Sequence, residues 1–468
     1  MKKILFFTPP KGEIRDVKQL ESQFLRIGIA YIAAYLREKR HEVKVIDATA
    51  LNLDIEQIKQ EIEAENPDFI GMGPFTEEIF QAYKIIQLAK SINRNITTVF
   101  GGPHPSAMPE ETLKEFPLVD YVIYGEGEET FFKLVNEQAP SDIDGLAYRT
   151  KNGDIVVNKP AYPIEDLDSL PYPAWDLFPL EQYRGRLVTN FNRKLNIPVL
   201  EIPVLSVRGC PSRCNFCFKV YEGLRFRDPV KVVDEMEHMV NTYGATDIFL
   251  SEGTFLAKSE HGKRICREII DRGLNKKISW IAETRVNSVD EESLNLLREA
   301  GCKELCYGIE SGDETILKNS GKGIGFEQMN KAINLTKKAG IRACCFSIIG
   351  HPYETEESIN KTVELLMELD SDVMNIAIMM PYPGTKVREM ALKGEGNYRL
   401  LSNDWSIYTK QEGGPLELQN LPLRDLQRLQ SKGYIKYFLK PKRLPYIFKH
   451  FSPGKIFEIT IDLFKKAF

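Results

Sequence analysis

The sequence predicts an α/β protein in three parts: an N-terminal Rossmann-like domain, a partial (β/α)6 barrel, and a small, mostly helical C-terminal region. Three observations carry that prediction. Short β-rich runs alternate with amphipathic patterns through the first 135 residues. The alternation stops in the stretch YPIEDLDSLPYPAWDLFPL, where Pro, Asp and Tyr crowd together. From about residue 204 it resumes with a period of about 30 to 40 residues. The expected boundaries are 1–138 for the first domain, 139–199 for a linker packed on the surface, 200–400 for the barrel and 401–468 for a helical cap or tail.

In the first domain KILFF, VKVID, FIGMG, TTVFGG and YVIYGEG read as strands. Between them Ile29, Ile32, Ala33 and Leu36 recur at helical spacing, as do Ile55, Ile58 and Ile62, then Ile79, Ala82, Tyr83 and Ile86. Regular strand–helix alternation means a parallel sheet covered on both faces. Ligands of such sheets sit at the C-terminal strand ends. Here those ends carry Pro9 and Pro10, Gly71 and Gly73, Gly101 and Gly102, and Gly125 and Gly127. Glycines allow close backbone approach and equally serve tight turns.

In the barrel, strands are expected to start near Val204, Asp247, Ile278, Glu304, Arg342 and Asp372, each followed by a helical pattern. Barrels of this kind place their chemistry at the C-terminal strand ends. The stretch VRGCPSRCNFCFK follows the first of those strands.

Composition sets the limits. With 43% apolar and 27% charged residues the chain is ordinary globular material. A net charge of −4 gives no case for nucleic acid as partner. From Ser431 to Phe468 nine Lys or Arg face Glu458 and Asp462, a net +7 that leaves −11 on the rest. That basic, aromatic tail is either a peripheral membrane contact, suiting a lipid substrate, or a cap packed on the barrel. The opening MKKILFFTPP is too short for a signal sequence. No run approaches the roughly 18 apolar residues of a membrane span. A cytoplasmic, reducing compartment is the default expectation, in which cysteines are metal ligands or reactive groups.

Three of the eight cysteines, Cys210, Cys214 and Cys217, fall within eight residues. A structural zinc site takes four ligands and would have to recruit Cys266 or His238. A four-iron cluster normally uses four thiolates. Three leave one iron open for chemistry. Cys302, Cys306, Cys344 and Cys345 lie in apolar strands and read as small buried residues.

The pattern C-x3-C-aromatic-C, here Cys210, Cys214, Phe216 and Cys217, after the first strand of such a barrel resembles the radical SAM superfamily. The resemblance implies a 4Fe–4S cluster on the three cysteines and S-adenosylmethionine chelated at the open iron. One electron then cleaves the sulfonium to methionine and a 5′-deoxyadenosyl radical. It further implies an electron donor such as flavodoxin or ferredoxin. Rim segments agree with it. FLSEGTF offers Glu252 for the methionyl amine, and YGIESG offers Gly308, Glu310 and Ser311 near the ribose. FSIIGHPYET matches a family run through Gly350, Pro352, Glu354 and Thr355. Glu310 has a turn-capping alternative. Arg285 holds either a carboxylate of S-adenosylmethionine or a neighbouring Glu. His351 and Tyr353 either face substrate or sit on a surface loop.

The first domain narrows the resemblance. GGPHPSAMPEETLKEFPLVDYVIYGEGEETFFKL, IGIAYIAAYL and the linker LDSLPYPAWDLFP resemble cobalamin-binding radical SAM proteins, over nearly the whole chain. Pro9, Pro10, Gly73, Gly101, Gly102, His104, Gly125 and Gly127 are the implied cobalamin residues. The D-x-H-x-x-G motif that supplies a cobalt ligand in other corrinoid enzymes is absent. His104 in GGPHP is then either a ligand or a support for its loop. Radical SAM methylthiotransferases also place an α/β domain first, but theirs needs its own cysteines, and this chain has none before Cys210.

The expected function is a cobalamin-dependent radical SAM enzyme that methylates an unactivated carbon of a small-molecule or lipid substrate. Alternatives are a cyclase or rearrangement enzyme with the same cofactors, and a non-catalytic cobalamin or redox sensor.

Overall fold

The computed structural model describes residues 1–9, 25–185, 199–221, 223–409 and 413–443. They fall into two compact units: the first takes 1–185, 199–210 and 218–245, and the second takes 211–217 and the residues from 246 onward.

The first unit is built on a seven-stranded sheet: β1 (Lys3–Thr8), β2 (Glu42–Asp47), β3 (Phe69–Met72), β4 (Thr97–Phe100), β5 (Tyr121–Ile123), β6 (Leu146–Arg149) and β7 (Ile155–Val157), in the spatial order β2-β1-β3-β4-β5-β6-β7. The first five run parallel, and β6 and β7 are antiparallel additions. All five strands expected here are present. Helices α1 (Ile27–Glu38), α2 (Ile55–Glu65), α3 (Ile79–Ile92), α4 (Pro103–Ala107), α5 (Pro109–Glu115) and α6 (Glu128–Val135) connect them. β1 reads as an unbroken apolar run because Ile4 to Phe7 are all buried, as a strand covered on both faces must be. α2 buries Ile58 and Ile62 and starts at a capping box in which Asp54 accepts from the Gln57 N–H.

Residues 139–199, expected as a linker on the surface, contribute more than that. β6 and β7 extend the sheet beyond the expected end at 138. Downstream, Trp175 is fully buried. The Ala174 N–H donates to the Ala30 carbonyl at 3.0 Å, and the Tyr183 hydroxyl donates to Asp47. The prolines prevent regular structure, yet the aromatic side chains between them pack into the first unit.

This unit also holds β8 (Glu201–Val204), the antiparallel pair β9 (Val207–Arg208) and β10 (Arg225–Phe226), and α7 (Pro229–Tyr243). α7 starts with Asp228 as cap and Pro229 in its first turn, and ends at Gly244 in a left-handed conformation.

In the second unit β11 (Asp247–Leu250), β12 (Ser279–Thr284), β13 (Cys302–Glu310), β14 (Arg342–Ile349) and β15 (Val373–Ile378) lie side by side, each parallel to the next. Between and after them come α8 (Ser259–Asp271), α9 (Glu291–Glu299), α10 (Glu314–Asn319), α11 (Phe326–Lys338), α12 (Glu356–Leu369) and α13 (Lys386–Lys393). Together with β8, every strand expected of the barrel is found. The C-terminal region adds an antiparallel pair, β16 (Tyr398–Leu400) and β17 (Leu416–Leu418), and one long helix, α14 (Leu423–Phe438). α14 covers β15: Gln430 donates to the Ile376 carbonyl at 2.7 Å and Tyr437 to the Asp372 carbonyl at 2.7 Å. Two cations of the basic tail are spent on this packing. Lys440 donates to the Met367 carbonyl at 2.6 Å and Arg443 to that of Asp372 at 2.8 Å. The rest of the tail, from 444, and Pro10 lie outside the described residues. Among the described residues no helix is long and apolar enough to cross a membrane.

Candidate active site

The residues expected to meet cobalamin collect on one edge of the first sheet. Pro9 follows β1, Gly73 follows β3, and Gly101 and Gly102 follow β4, while Gly125 and Gly127 separate β5 from α6. These are the C-terminal ends of neighbouring parallel strands. Gly102 approaches Gly73 so closely that an added Cβ would stand 3.0 Å from the Gly73 Cα. Gly127 faces inward instead, where a Cβ would meet Ile32 Cδ1 at 2.8 Å; it lets α1 pack. His104 is buried, and its Nδ1 lies 3.3 Å from the Thr76 hydroxyl. That contact ties α4 to the loop after β3.

Glu126, between those glycines, is an anchor that the sequence reading passed over. Its carboxylate accepts from Arg208 Nη1 at 2.9 Å, from Arg225 Nη1 and Nη2 at 2.9 and 3.0 Å, and from the Ile164 N–H at 2.6 Å. Glu128 takes the other arm of Arg208 at 2.7 Å. Burial works against the Glu126 charge, but Arg225 and Arg208 outweigh it and hold the carboxyl below its ordinary value. Arg208 closes β9 and Arg225 opens β10, so this buried network pins the base of the segment that carries the three cysteines. Gly209 is the first residue of that segment, at φ +98°, and a Cβ there would overlap the Gly223 carbonyl oxygen at 1.8 Å. Only glycine fits.

In the second unit, residues 211–217 are gripped from three sides. The Asn215 N–H donates to the Ser320 carbonyl at 2.9 Å, and its side-chain amide to that of Asn319 at 3.1 Å. The Val387 N–H donates to the Asn215 carbonyl at 3.0 Å. Arg285 bonds the Ser212 hydroxyl with one arm and the Lys322 carbonyl with the other, at 2.6 Å. Its Nε reaches Asn287 at 3.2 Å. The visible role of Arg285 is thus to clamp the cysteine loop, which neither reading of it anticipated. Gly321, at φ +75°, lets the 319–322 turn approach; a Cβ there would lie 2.5 Å from the Arg213 carbonyl oxygen.

The strand ends of this unit bring the other expected residues to the rim. Glu252 follows β11 and is buried. Glu310 ends β13 at φ +66° and pairs with Lys322 at 2.8 Å. Burial opposes the Lys322 charge, but Glu310 holds its pKa above the ordinary value, with Cys214 adding to the effect. Gly308 is the space this pair needs: a Cβ would stand 2.3 Å from Glu310 Oε1 and 2.4 Å from Lys322 Nζ. Ser311 is fully buried. The Gly350 and His351 N–H groups donate to Glu354 Oε2 at 2.5 and 2.9 Å.

His351 is no surface residue. It is 1% exposed, and its ring lies 5.8 Å from that of Phe216. Neither ring nitrogen makes a hydrogen bond of good geometry. Burial lowers its pKa to about 4, so the ring is neutral. Tyr353, by contrast, is 62% exposed. Lys322 and Gly321 were missed by sequence reasoning; the run Gly321-Lys322-Gly323 was the available signal.

The donor chemistry fits the implied groups. None of the eight cysteines forms a disulfide, and only Cys210, Cys214 and Cys217 escape full burial. Cys266, the zinc alternative, is buried on α8 with its thiol pushed well up by burial. The His351 ring, without a well-aligned hydrogen bond, and the buried Thr284 hydroxyl are polar groups that suit a bound polar molecule in the second unit. In the first, the Gly73–Gly102 edge is bare backbone, as a broad macrocycle requires.

Residues 17–135 match the B12 binding domain family, and residues 204–366 the radical SAM superfamily. An uncharacterised methyltransferase of Pyrococcus horikoshii is 34% identical over 458 residues, covering 96% of this chain and 95% of its own. An anaerobic magnesium-protoporphyrin IX monomethyl ester cyclase of Rubrivivax gelatinosus is 32% identical over 76% of this chain, which spans 64% of that relative's length. Among solved structures, the cobalamin-dependent S-adenosylmethionine radical enzyme OxsB with aqua-cobalamin bound superposes with a TM-score of 0.75 at 18% identity, covering 100% of this chain and 71% of its own. The radical S-adenosylmethionine methyltransferase TsrM of Kitasatospora setae gives 0.67 at 22% identity, covering 88% and 79%. At these identities the likeness is one of fold.

Proposed function

Because this chain belongs to the family of cobalamin-binding radical SAM proteins, we propose that it transfers a methyl group to an unactivated carbon of a small-molecule substrate. The observation that carries this reading is the end-to-end match to a methyltransferase, which includes both the cysteine loop and the glycine edge. When bound, the 4Fe–4S cluster supplies the electron that cleaves S-adenosylmethionine, and cobalamin supplies the methyl carrier.

The chain's own residues prepare the sites. Cys210, Cys214 and Cys217 are the cluster ligands in this reading. Arg285, through the Ser212 hydroxyl, and the 319–322 turn, through the Asn215 N–H, fix the loop. The Lys322 cation favours an anionic ligand set beside it. In this reading Glu252 receives the methionyl amine and Glu310, paired with Lys322, lies near the ribose. Gly308, Ser311, Gly350 and Phe216 would line the same rim, and Gly73, Gly101, Gly102 and Gly125 the corrin edge. Pro9 is placed beside that edge.

A second reading, ring closure with the same cofactors, is favoured by the 32% identity to the protoporphyrin ester cyclase. Anaerobic turnover with methyl-labelled S-adenosylmethionine and candidate acceptors separates the two. Label in the product together with deoxyadenosine supports methyl transfer. Deoxyadenosine with unlabelled, ring-closed product supports the cyclase. A protein that binds both cofactors and forms no deoxyadenosine is a sensor, and the proposal fails.

A further inference from the structure

Two buried thiols and a carboxylate face one another within the second unit, on residues outside the expected cofactor sets. Cys306 on β13 pairs in register with Cys344 on β14. Registered neighbours put their side chains on one face of the sheet, and Glu304, two residues earlier, shares that face. The three ligand atoms all lie within 4.8 Å of one another, and each residue is buried. Glu304 Oε1 stands 3.7 Å from the Cys306 sulfur. Its other oxygen lies 2.9 Å from Arg342 Nη2, an ion pair without hydrogen-bond alignment. Val373 and Phe346 pack against the thiols. Glu283, in register with Cys306 across β12, is a further carboxylate in the same row.

We propose that Glu304, Cys306 and Cys344 form a second metal site, for a soft divalent cation of the zinc class. Thiolates select soft metals. Ligand atoms around a tetrahedral zinc stand roughly 3.5 to 4 Å apart, so the trio has only to contract slightly. Charge also balances: two thiolates would match one divalent cation, and Arg342 already pairs with the carboxylate. Binding exchanges two thiol protons for one divalent cation, two S–H bonds breaking as two metal–sulfur bonds form. The buried charge is unchanged, and no oxidant or reductant is required. Arg342 then orients the carboxylate ligand from behind, as outer partners of metal ligands do. The metal would tie β13 to β14 beneath the rim residues Gly308 to Ser311 and Gly350 to Glu354.

The test uses the full chain carrying Cys210→Ala, Cys214→Ala and Cys217→Ala, so that zinc cannot settle on the cluster thiols. After exposure to zinc and exhaustive dialysis, the proposal expects a stoichiometric zinc per chain, with two protons released on binding. Affinity should rise about 100-fold per pH unit, as two released protons demand. Cobalt in place of zinc should show a thiolate charge-transfer band. Adding Cys306→Ser and Cys344→Ser should abolish retained metal and band. Absence of retained zinc, zinc unchanged by the serine substitutions, or a Cys306–Cys344 disulfide as the resting state would each overturn it. Should the serine variants not fold, proton release and the cobalt spectrum of the parent variant still decide. The outcome is independent of whether methyl transfer occurs.

Discussion

Lys322 Nζ lies 2.8 Å from Glu310 Oε1, and Glu310 sits at φ +66°, a conformation that L-residues rarely adopt. The pair joins the end of β13 to the turn that grips the cysteine loop. One largely buried ion pair thus links a strained strand end to the turn that holds the cysteine loop.

Replacing Lys322 by Met should destabilise the second unit by about 3 kcal/mol, because it strands a buried carboxylate. Adding Glu310→Gln should recover part of that loss, since the stranded charge is then gone. Urea unfolding of the two variants under anaerobic conditions checks the order. Equal stability of both with the wild type would remove the pair from the account.

Two glycines near this pair should behave differently. In Gly308→Ala the new Cβ meets the ends of two flexible side chains, whereas in Gly321→Ala it meets the Arg213 backbone at 2.5 Å in a residue held at positive φ. Gly321→Ala should therefore lose most of its cluster iron after reconstitution, and Gly308→Ala should keep a larger share. Iron analysis of both proteins measures it; the reverse order contradicts the proposed grip.

At the other anchor, Glu126→Gln leaves Arg208 and Arg225 facing a neutral amide in a buried site. We expect a loss of about 3 kcal/mol in the stability of the first unit. Arg208→Met added to it should cost less than the sum of the two single changes, because the partners act as one network. Strict additivity in the double-mutant cycle would show that the carboxylate and Arg208 are independent.

Glu354 gives a pH signature. Burial raises its pKa from the ordinary 4.5 to about 8, against the opposing N–H groups of His351 and Gly350. A raised folded pKa means that its contribution to stability is full below 4.5 and lost as pH rises toward 8. Glu354→Gln should remove that loss, so stability relative to the wild type should improve with pH by up to about 1.4 kcal/mol per unit. Unfolding curves between pH 5 and 8 read the slope directly (the chosen range lies inside the titration window). A difference that stays flat would mean that Glu354 is ionised throughout.

The strand pattern and the cysteine loop were legible because both depend on local sequence: β1 to β5 and the barrel strands are short β-rich segments separated by helical patterns, and the three thiols are neighbours in the chain. β6 and β7 were not, since they form an antiparallel hairpin with no helical pattern between them to mark the strands. The Asn152-Gly153 step between them was the one hairpin signal on offer. What was missed at the site is non-local. Glu126 meets arginines 82 and 99 residues away, and Arg285 meets Ser212 across 73. His351 follows a strand in a Gly-Pro context that reads as loop. Its ring packs beside that of Phe216, which sequence spacing does not bring near.

Both cofactor sites are tested together by the iron and cobalt content of the anaerobically reconstituted chain offered hydroxocobalamin, beside its Cys210→Ala, Cys214→Ala, Cys217→Ala variant. Stoichiometric cobalt is expected in both proteins and cluster iron in the first alone. Iron without cobalt in the wild-type chain would contradict it, because the glycine edge of the first unit would then serve some other purpose and methyl transfer through cobalamin would fall.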